Sequence, residues 1–137
     1  MFSLFRFARV PLLALAAGLP AAAPALAQQA NYGFESPPSP QANRVYSVNV
    51  ATGEITACQY ERPDGNPVGV TRCFARSDGA GPQKPGSYAL ISTHYSSETG
   101  VFRVNRDSGE MSVCYVRDVP KTAGGTEPAV VCTPPSR

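Results

Sequence analysis

A fourteen-residue segment that occurs twice constrains the fold of this chain more than any other feature. The two copies, VYSVNVATGEITAC and VFRVNRDSGEMSVC, occupy residues 45–58 and 101–114. Their offset is constant (101 − 45 and 114 − 58 both give 56), six of the fourteen positions are identical, and five more exchange similar residues. Self-similarity at a fixed spacing is typical of a duplicated supersecondary unit, so we expect one structural motif to be built twice.

Each copy predicts a β-hairpin. In the first arm apolar and polar residues alternate, which places Tyr46 and Val48 on one face of a strand, and Phe102 and Val104 on one face of its counterpart. The turn has the pattern Asn-x-x-(Thr/Ser)-Gly, in which the Asn side chain bonds its own backbone two residues on and the Gly adopts a positive φ. The predicted turn residues are Asn49, Gly53, Asn105 and Gly109.

The two turn glycines predict a measurable cost for substitution. A Cβ at positive φ strains the turn, and a β-branched side chain strains it most. The second copy belongs to a unit with a complete set of predicted strands, whereas Pro37, Pro38 and Pro40 interrupt the opening strand of the first. The sequence therefore predicts that Gly109 is the costlier site and that Gly53 tolerates substitution better.

The N-terminal segment 1–27 has the layout of a secretory signal peptide. Two arginines precede an apolar stretch, and a small-x-small pattern at its end predicts cleavage between Ala27 and Gln28. A membrane-spanning helix is the alternative, but the stretch is near the lower length limit for a span and three prolines interrupt it. We therefore expect an exported protein, periplasmic or secreted, with no membrane span after cleavage.

The four cysteines all follow the signal peptide. An even number of cysteines in a small exported chain predicts disulfide bonds. Four cysteines allow three pairings, and the repeat favours one, because each copy ends in a Cys that is followed by a single later Cys. A four-Cys zinc site is the alternative, but such sites usually contain closely spaced pairs, and the chain has no Cys-x-x-Cys. The favoured pairs are Cys58–Cys73 and Cys114–Cys132.

The sequence predicts an all-β fold. We expect two antiparallel meanders of about four strands each, with one disulfide per unit, packed as a small sandwich or a barrel, of which the sandwich is favoured. Residues 118–128 are expected to be a long loop of the second meander. The expected parts are a signal peptide (1–27), a Pro-rich flexible segment (28–43), a single β domain (44–132) made of two repeats (44–75 and 87–132), and a mobile tail (133–137).

One residue of the Pro-rich segment also follows the repeat. Tyr32 precedes Tyr88 by the offset that separates the two copies (88 − 32 gives 56), and Tyr88 opens a predicted strand of the second repeat. The region around Tyr32 is therefore predicted to be the counterpart of that strand. Because prolines follow it closely, we expect an edge strand or a flap.

The charge of the mature part gives no sign of a polyanionic partner. Of the twelve basic residues, Arg6 and Arg9 belong to the signal peptide, which leaves ten basic and ten acidic residues and a formal net charge of zero. A strongly basic surface is the usual mark of a nucleic-acid-binding protein or of one that binds anionic membranes. The composition therefore indicates neither nucleic acid nor an anionic membrane surface as a partner.

The second repeat resembles a family of small, mostly uncharacterised exported proteins of proteobacteria. Their segments contain a tyrosine strand, a hairpin with the pattern Leu-Asp-Thr-x-Thr-Gly, a Cys and a later Cys. This chain has Asn where Asp is usual and Ser where Thr is usual. The hairpin also resembles the inner turn of quinoprotein-type propeller blades, which implies local geometry only, and neither resemblance implies an activity. The matching residues are Tyr88, Val104, Asn105, Ser108, Gly109, Cys114 and Cys132.

The candidate catalytic residues are few. His94 is the only histidine, so a Ser-His-Asp or Cys-His arrangement would have to use it, yet it lies in a strand-like segment where a surface role is commoner. Glu54 and Glu110 follow the turn glycines at equivalent positions, where a carboxylate is usually solvated or paired across the hairpin. A lone histidine also argues against a dedicated metal site, and no cofactor motif is present.

The aromatic residues of the predicted strands have two interpretations. Core packing is the expected role, whereas an exposed row would suit a binding face, and periodicity leaves open which side chains face outward. The leading hypothesis is a non-catalytic exported β module that binds an unknown envelope protein; the alternative is a small secreted hydrolase that uses His94. The aromatic residues are Tyr46, Tyr60, Tyr88, Tyr95, Phe102 and Tyr115.

Overall fold

The computed structural model describes residues 31–38, 43–96 and 99–137. Within these residues the chain forms nine β-strands and no helix, which confirms the predicted all-β class. The predicted signal peptide and its cleavage site, Ala27 and Gln28, lie outside the described residues.

The first repeat and the segment before it form a four-stranded antiparallel meander, called sheet 1, whose strands follow one another in chain order. Its first strand is the edge strand predicted from the repeat: Tyr32 pairs with Asn49, as Tyr88 pairs with Asn105 in the second repeat. The strands are β1 (Tyr32–Glu35), β2 (Arg44–Asn49), β3 (Ile55–Glu61) and β4 (Val70–Cys73).

The second repeat forms a second antiparallel meander, which with one added strand makes up the five-stranded sheet 2. The added strand, β5, spans the junction between the first repeat and the linker, and it pairs in parallel with the last strand of the chain. It carries the chain from one sheet to the other. The strands are β5 (Ala75–Arg76), β6 (Tyr88–Ser92), β7 (Val101–Asn105), β8 (Met111–Pro120) and β9 (Thr126–Cys132).

The long loop predicted for residues 118–128 is wrong. Strands β8 and β9 stay paired as far as Pro120 and Thr126. Gly124 and Gly125 turn the chain with φ values of 88° and 80°, which a residue without a Cβ adopts freely. Proline cannot donate to a ladder, yet this long hairpin accommodates the prolines of the stretch.

The C-terminal tail continues along β8. The Met111 amide donates to the Ser136 carbonyl oxygen at 2.8 Å, and the Ser136 amide donates to the Met111 carbonyl oxygen at 2.9 Å. The Thr133 amide donates to the Val113 carbonyl oxygen at 2.9 Å. The tail is therefore bonded at both of these points, and its mobility stays a prediction.

The two sheets stack face to face, so the fold is a sandwich. Strands β1 and β2 lie against β6, and β3 lies against β5 and β9. Apolar side chains from both sheets meet between them, and their removal from water is the main stabilising contribution of the core. The buried cluster contains Tyr46, Ile55, Ala57, Phe74, Ala80, Val101, Cys114, Val130 and Cys132.

The two copies of the hairpin bury opposite faces. In the first copy Tyr46 is fully buried against sheet 2, while its neighbour Val45 is 46% exposed. In the second copy Phe102, the equivalent of Tyr46, is 37% exposed, while Val101 and Arg103 on either side are buried. Side chains alternate between the two faces along a strand. The equivalent aromatic side chains of the two copies therefore point inward in sheet 1 and outward in sheet 2.

Candidate functional site

Both predicted disulfides are present. Cys58 bonds Cys73 and Cys114 bonds Cys132, and each pair joins residues directly opposite one another on neighbouring strands of one sheet. All four sulfurs are used, so the zinc alternative is wrong. In the described parts of the chain, no group of three or more His, Cys, Asp or Glu side chains is arranged to hold a metal ion.

The two turns have the same internal geometry. Asn49 Oδ1 accepts hydrogen bonds from the amides of Ala51 at 3.0 Å and Thr52 at 3.1 Å. Asn105 Oδ1 accepts the equivalent bonds from the amides two and three residues on, at 3.0 and 3.2 Å. Gly53 and Gly109 have φ values of 69° and 74°. The turn pattern therefore produces the predicted local structure twice.

The surroundings of the two turn glycines differ. Gly53 lies beneath the ring of Tyr88, and a Cβ built on Gly53 would lie 2.8 Å from that ring. A Cβ on Gly109 would meet nothing within 4 Å. The structure therefore favours Gly53 as the costlier site, opposite to the order predicted from the sequence, because only the first turn glycine has another side chain packed against it.

Arg103 joins the second repeat to the first turn. Its guanidinium is buried and donates from Nη1 to the carbonyl oxygens of Gly53 and Gly79, both at 3.0 Å. Nε and Nη2 donate to Ser112 Oγ at 3.2 and 2.9 Å. Desolvation by burial lowers the pKa of Arg103 from its ordinary value, opposed by the electrostatic effect of Tyr88. The sequence did not reveal this role, since an Arg between two apolar residues suggested an exposed position.

The space beside Arg103 does not suit a substrate. The cavity there has a volume of about 10 Å³. That is near the lower limit for a single water molecule. Its lining includes Tyr88 and Asn105, which bond each other: Asn105 Nδ2 donates to the Tyr88 hydroxyl at 3.1 Å. The buried polar cluster therefore connects the two sheets and leaves no room for a ligand.

The candidate catalytic residues are not brought together. His94 is exposed, with a φ of 55°, and its backbone amide donates to Ser92 Oγ at 3.3 Å. Among the described residues, no carboxylate hydrogen-bonds to the His94 ring. Glu54 forms an ion pair with Arg76 at 2.6 Å, and Glu110 accepts a bond from the hydroxyl two residues before it at 2.9 Å. Each carboxylate therefore has its own local partner.

Two buried tyrosines contribute to the core and to polar contacts between elements. The Tyr46 hydroxyl donates to the Thr99 carbonyl oxygen at 2.8 Å and accepts from the Val116 amide at 3.2 Å. The Tyr88 hydroxyl donates to the Lys84 carbonyl oxygen at 2.7 Å. Both rings are buried with their hydroxyl groups bonded, which agrees with the expected core role for these two aromatic residues.

The outer face of sheet 1 carries exposed aromatic and aliphatic side chains. The register places them on one face, because Phe34 is opposite Ser47 and Tyr32 is opposite Asn49, while Val45 is opposite Cys58. Phe34 is 69% exposed. We define the outer face of sheet 1 by four residues: Tyr32, Phe34, Val45 and Tyr60.

The outer face of sheet 2 is also apolar. Ile91 is opposite Phe102, and Phe102 is opposite Val113, so the three side chains are cross-strand neighbours on one face. Phe102, Met111 and Val113 line a depression of about 300 Å³ that is bordered by the C-terminal tail. We define the outer face of sheet 2 by four residues: Ile91, Phe102, Met111 and Val113.

No protein-family model, curated protein or solved structure matches this chain. None of the described residues belongs to a helix long and apolar enough to cross a membrane. Two disulfides in a chain of this size are typical of proteins from oxidising compartments outside the cytosol. The chemistry and the surfaces described above are therefore the basis for inferring a function.

Proposed function

We propose that this protein is an exported, non-catalytic β module of the cell envelope that binds another protein through its outer sheet faces. The observation that carries the proposal is the set of exposed apolar side chains on both outer faces, while the inner faces already form the core. Contiguous exposed apolar patches on soluble proteins commonly mark interaction sites, and aromatic residues are enriched at interfaces.

Three features support the proposed compartment. The N-terminal pattern is that of a signal peptide, the disulfides need an oxidising environment, and the second repeat resembles exported proteins of proteobacteria. We therefore place the mature protein in the periplasm or outside the cell. N-terminal sequencing of the exported protein is expected to begin at Gln28, and recovery of the uncleaved chain in the membrane fraction would contradict export by cleavage.

The non-catalytic assignment follows from the separation of the reactive side chains. His94 is exposed and does not line the cavity of the buried polar cluster, which is too small for a substrate. A His94→Ala variant is expected to bind partners as the parent does. If a hydrolytic activity of the pure protein were found and then lost in His94→Ala, the hydrolase alternative would replace this proposal.

The binding surface is tested by capture from periplasmic extract with the mature protein as bait. Phe34→Ser removes an exposed aromatic from one outer face, and Phe102→Ser removes one from the other. Tyr95→Ser is a control, because Tyr95 is an aromatic residue that is 65% exposed, against 69% for Phe34 and 37% for Phe102, and lies beyond the end of β6. We expect at least one face variant to lose the captured protein and the control to keep it. Equal capture by all three would contradict binding through the outer faces.

A further inference from the structure

The repeat relates a buried face of one sheet to an exposed face of the other. Tyr46 and Ile55 belong to the inner face of sheet 1, which packs on sheet 2. The constant offset between the copies makes Phe102 and Met111 their equivalents, and both lie on the outer face of sheet 2. The outer face of sheet 2 is therefore the counterpart of a surface that already binds a sheet within the same molecule.

The corresponding relation holds between the inner face of sheet 2 and the outer face of sheet 1. Val101 and Leu90 belong to the inner face of sheet 2, which receives sheet 1. Their equivalents, Val45 and Phe34, lie on the outer face of sheet 1, where they are 46% and 69% exposed. The face of sheet 1 that packs on sheet 2 is thus equivalent to the outer face of sheet 2, and the face of sheet 2 that packs on sheet 1 is equivalent to the outer face of sheet 1. The two sheets therefore form two successive members of a stacked series. The outer faces correspond to the surfaces by which the series would continue.

The turns show the same relation in more detail. Within the molecule the ring of Tyr88 covers Gly53. The equivalent residues at the ends of the stack are Tyr32, which is 53% exposed, and Gly109, whose Cβ direction is open for at least 4 Å. A second copy that continued the series would place its Tyr32 ring over this open glycine.

We infer that the outer face of sheet 2 binds the outer face of sheet 1 of a second copy of this chain, in the arrangement that sheets 1 and 2 have within one copy. The inference rests on the proposed protein-binding function and names a second copy as the partner. Both surfaces are on the same chain, and the internal contact between the sheets is the template for their fit. Such a head-to-tail contact forms a ring if its rotation closes and an open series if it does not.

The contact between copies lacks polar interactions of the internal contact. The Tyr46 hydroxyl bonds the Thr99 carbonyl oxygen and the Val116 amide. Its equivalent, Phe102, has no hydroxyl. Arg103 donates to the carbonyl oxygen of the turn glycine within the molecule, and its equivalent in sheet 1 is Ser47, which is too short for the same reach. We therefore expect association between copies to be reversible and concentration-dependent. The contact between copies would bury apolar side chains but would lack the buried hydrogen bonds that join the two sheets within one copy.

The test is sedimentation velocity on the mature protein over a range of concentrations. Tyr32→Ser changes the outer face of sheet 1 and Phe102→Ser changes the outer face of sheet 2. Each variant alone is expected to associate at least about tenfold more weakly than the parent. An equimolar mixture is expected to form dimers and nothing larger, because only one intact face of each kind remains for pairing. Tyr95→Ser is expected to associate like the parent.

Two results would overturn this inference. If the parent stays monomeric at every concentration, no such contact forms. If either variant alone still associates like the parent, the face that it changes does not take part in the contact, and the head-to-tail arrangement is wrong. Near-ultraviolet circular dichroism and disulfide mapping confirm that the variants are folded. A monomeric parent that captures another protein through the same faces leaves the proposed function standing, whereas a monomeric parent that captures nothing removes both.

Discussion

Residues 45–58 and 101–114 form hairpins with the same turn, the same closing cysteine and the same register, yet the face that is buried in the first is exposed in the second. The turn depends on residues within the hairpin, such as Asn49 and Asn105, so both copies form it. Burial depends on which side the neighbouring sheet approaches. A duplicated segment therefore preserves local geometry while its two copies diverge in the surroundings they meet.

The largest expected difference between the copies is at their equivalent aromatic residues. Tyr46→Ala removes a fully buried ring and is expected to lower the free energy of unfolding by about 4 kcal/mol. Phe102→Ala removes a ring that is partly in water and is expected to cost about 1 kcal/mol or less. Urea denaturation of the two variants measures the difference. Equal losses would contradict the opposite orientation of the two hairpins.

The next largest difference concerns the residue that follows each aromatic. Arg103→Met leaves the Gly53 carbonyl oxygen and Ser112 Oγ without their donor, so we expect a loss of about 3 kcal/mol. Ser47→Ala removes one hydroxyl that pairs with Thr56 Oγ1 near the surface, and a loss of about 0.5–1 kcal/mol is expected. Denaturant melts of the pair provide the measurement, and a stable Arg103→Met variant would show that the guanidinium does not hold the sheets together.

The smallest difference is at the turn glycines. Gly109→Ala is expected to cost about 1 kcal/mol, since alanine is strained at positive φ but meets open space. Gly53→Ala carries the same strain and also displaces the Tyr88 ring, so about 2–3 kcal/mol is expected. Thermal unfolding of the two variants compares them directly. A costlier Gly109→Ala would mean that the second turn is the one packed against other residues.

Much of the fold was predictable because its causes are local. The turn pattern specifies its own hydrogen bonds, and the fixed offset between the copies identifies both disulfide pairs and the edge strand at Tyr32. The connection between β8 and β9 was predicted as a long loop, whereas both strands continue through Pro120 and Pro128 to a short turn. The many backbone pairs between these two strands compensate for the hydrogen bonds that the prolines cannot donate.

The sequence carried a signal for the apolar outer face of sheet 2 but none for the buried arginine. Val101, Phe102 and Val104 are all apolar, so the second copy carries apolar side chains on both faces of one strand. Apolar side chains on both faces are typical of a strand that is covered on both faces, and this pattern is visible in the sequence. The burial of Arg103 had no such signal, because its partners are carbonyl oxygens that only the stacking of the sheets brings near.

The most direct test of the account is hydroxyl-radical footprinting of the dilute mature protein, read out residue by residue by mass spectrometry. It reports side-chain exposure without any substitution. We predict that Tyr46 and Tyr88 are protected, whereas Phe102 and the reference residue Tyr95 are modified readily. If Phe102 were as protected as Tyr46 in dilute monomer, or if Tyr46 were modified as fast as Phe102, the two repeats would not bury opposite faces and the account would be contradicted.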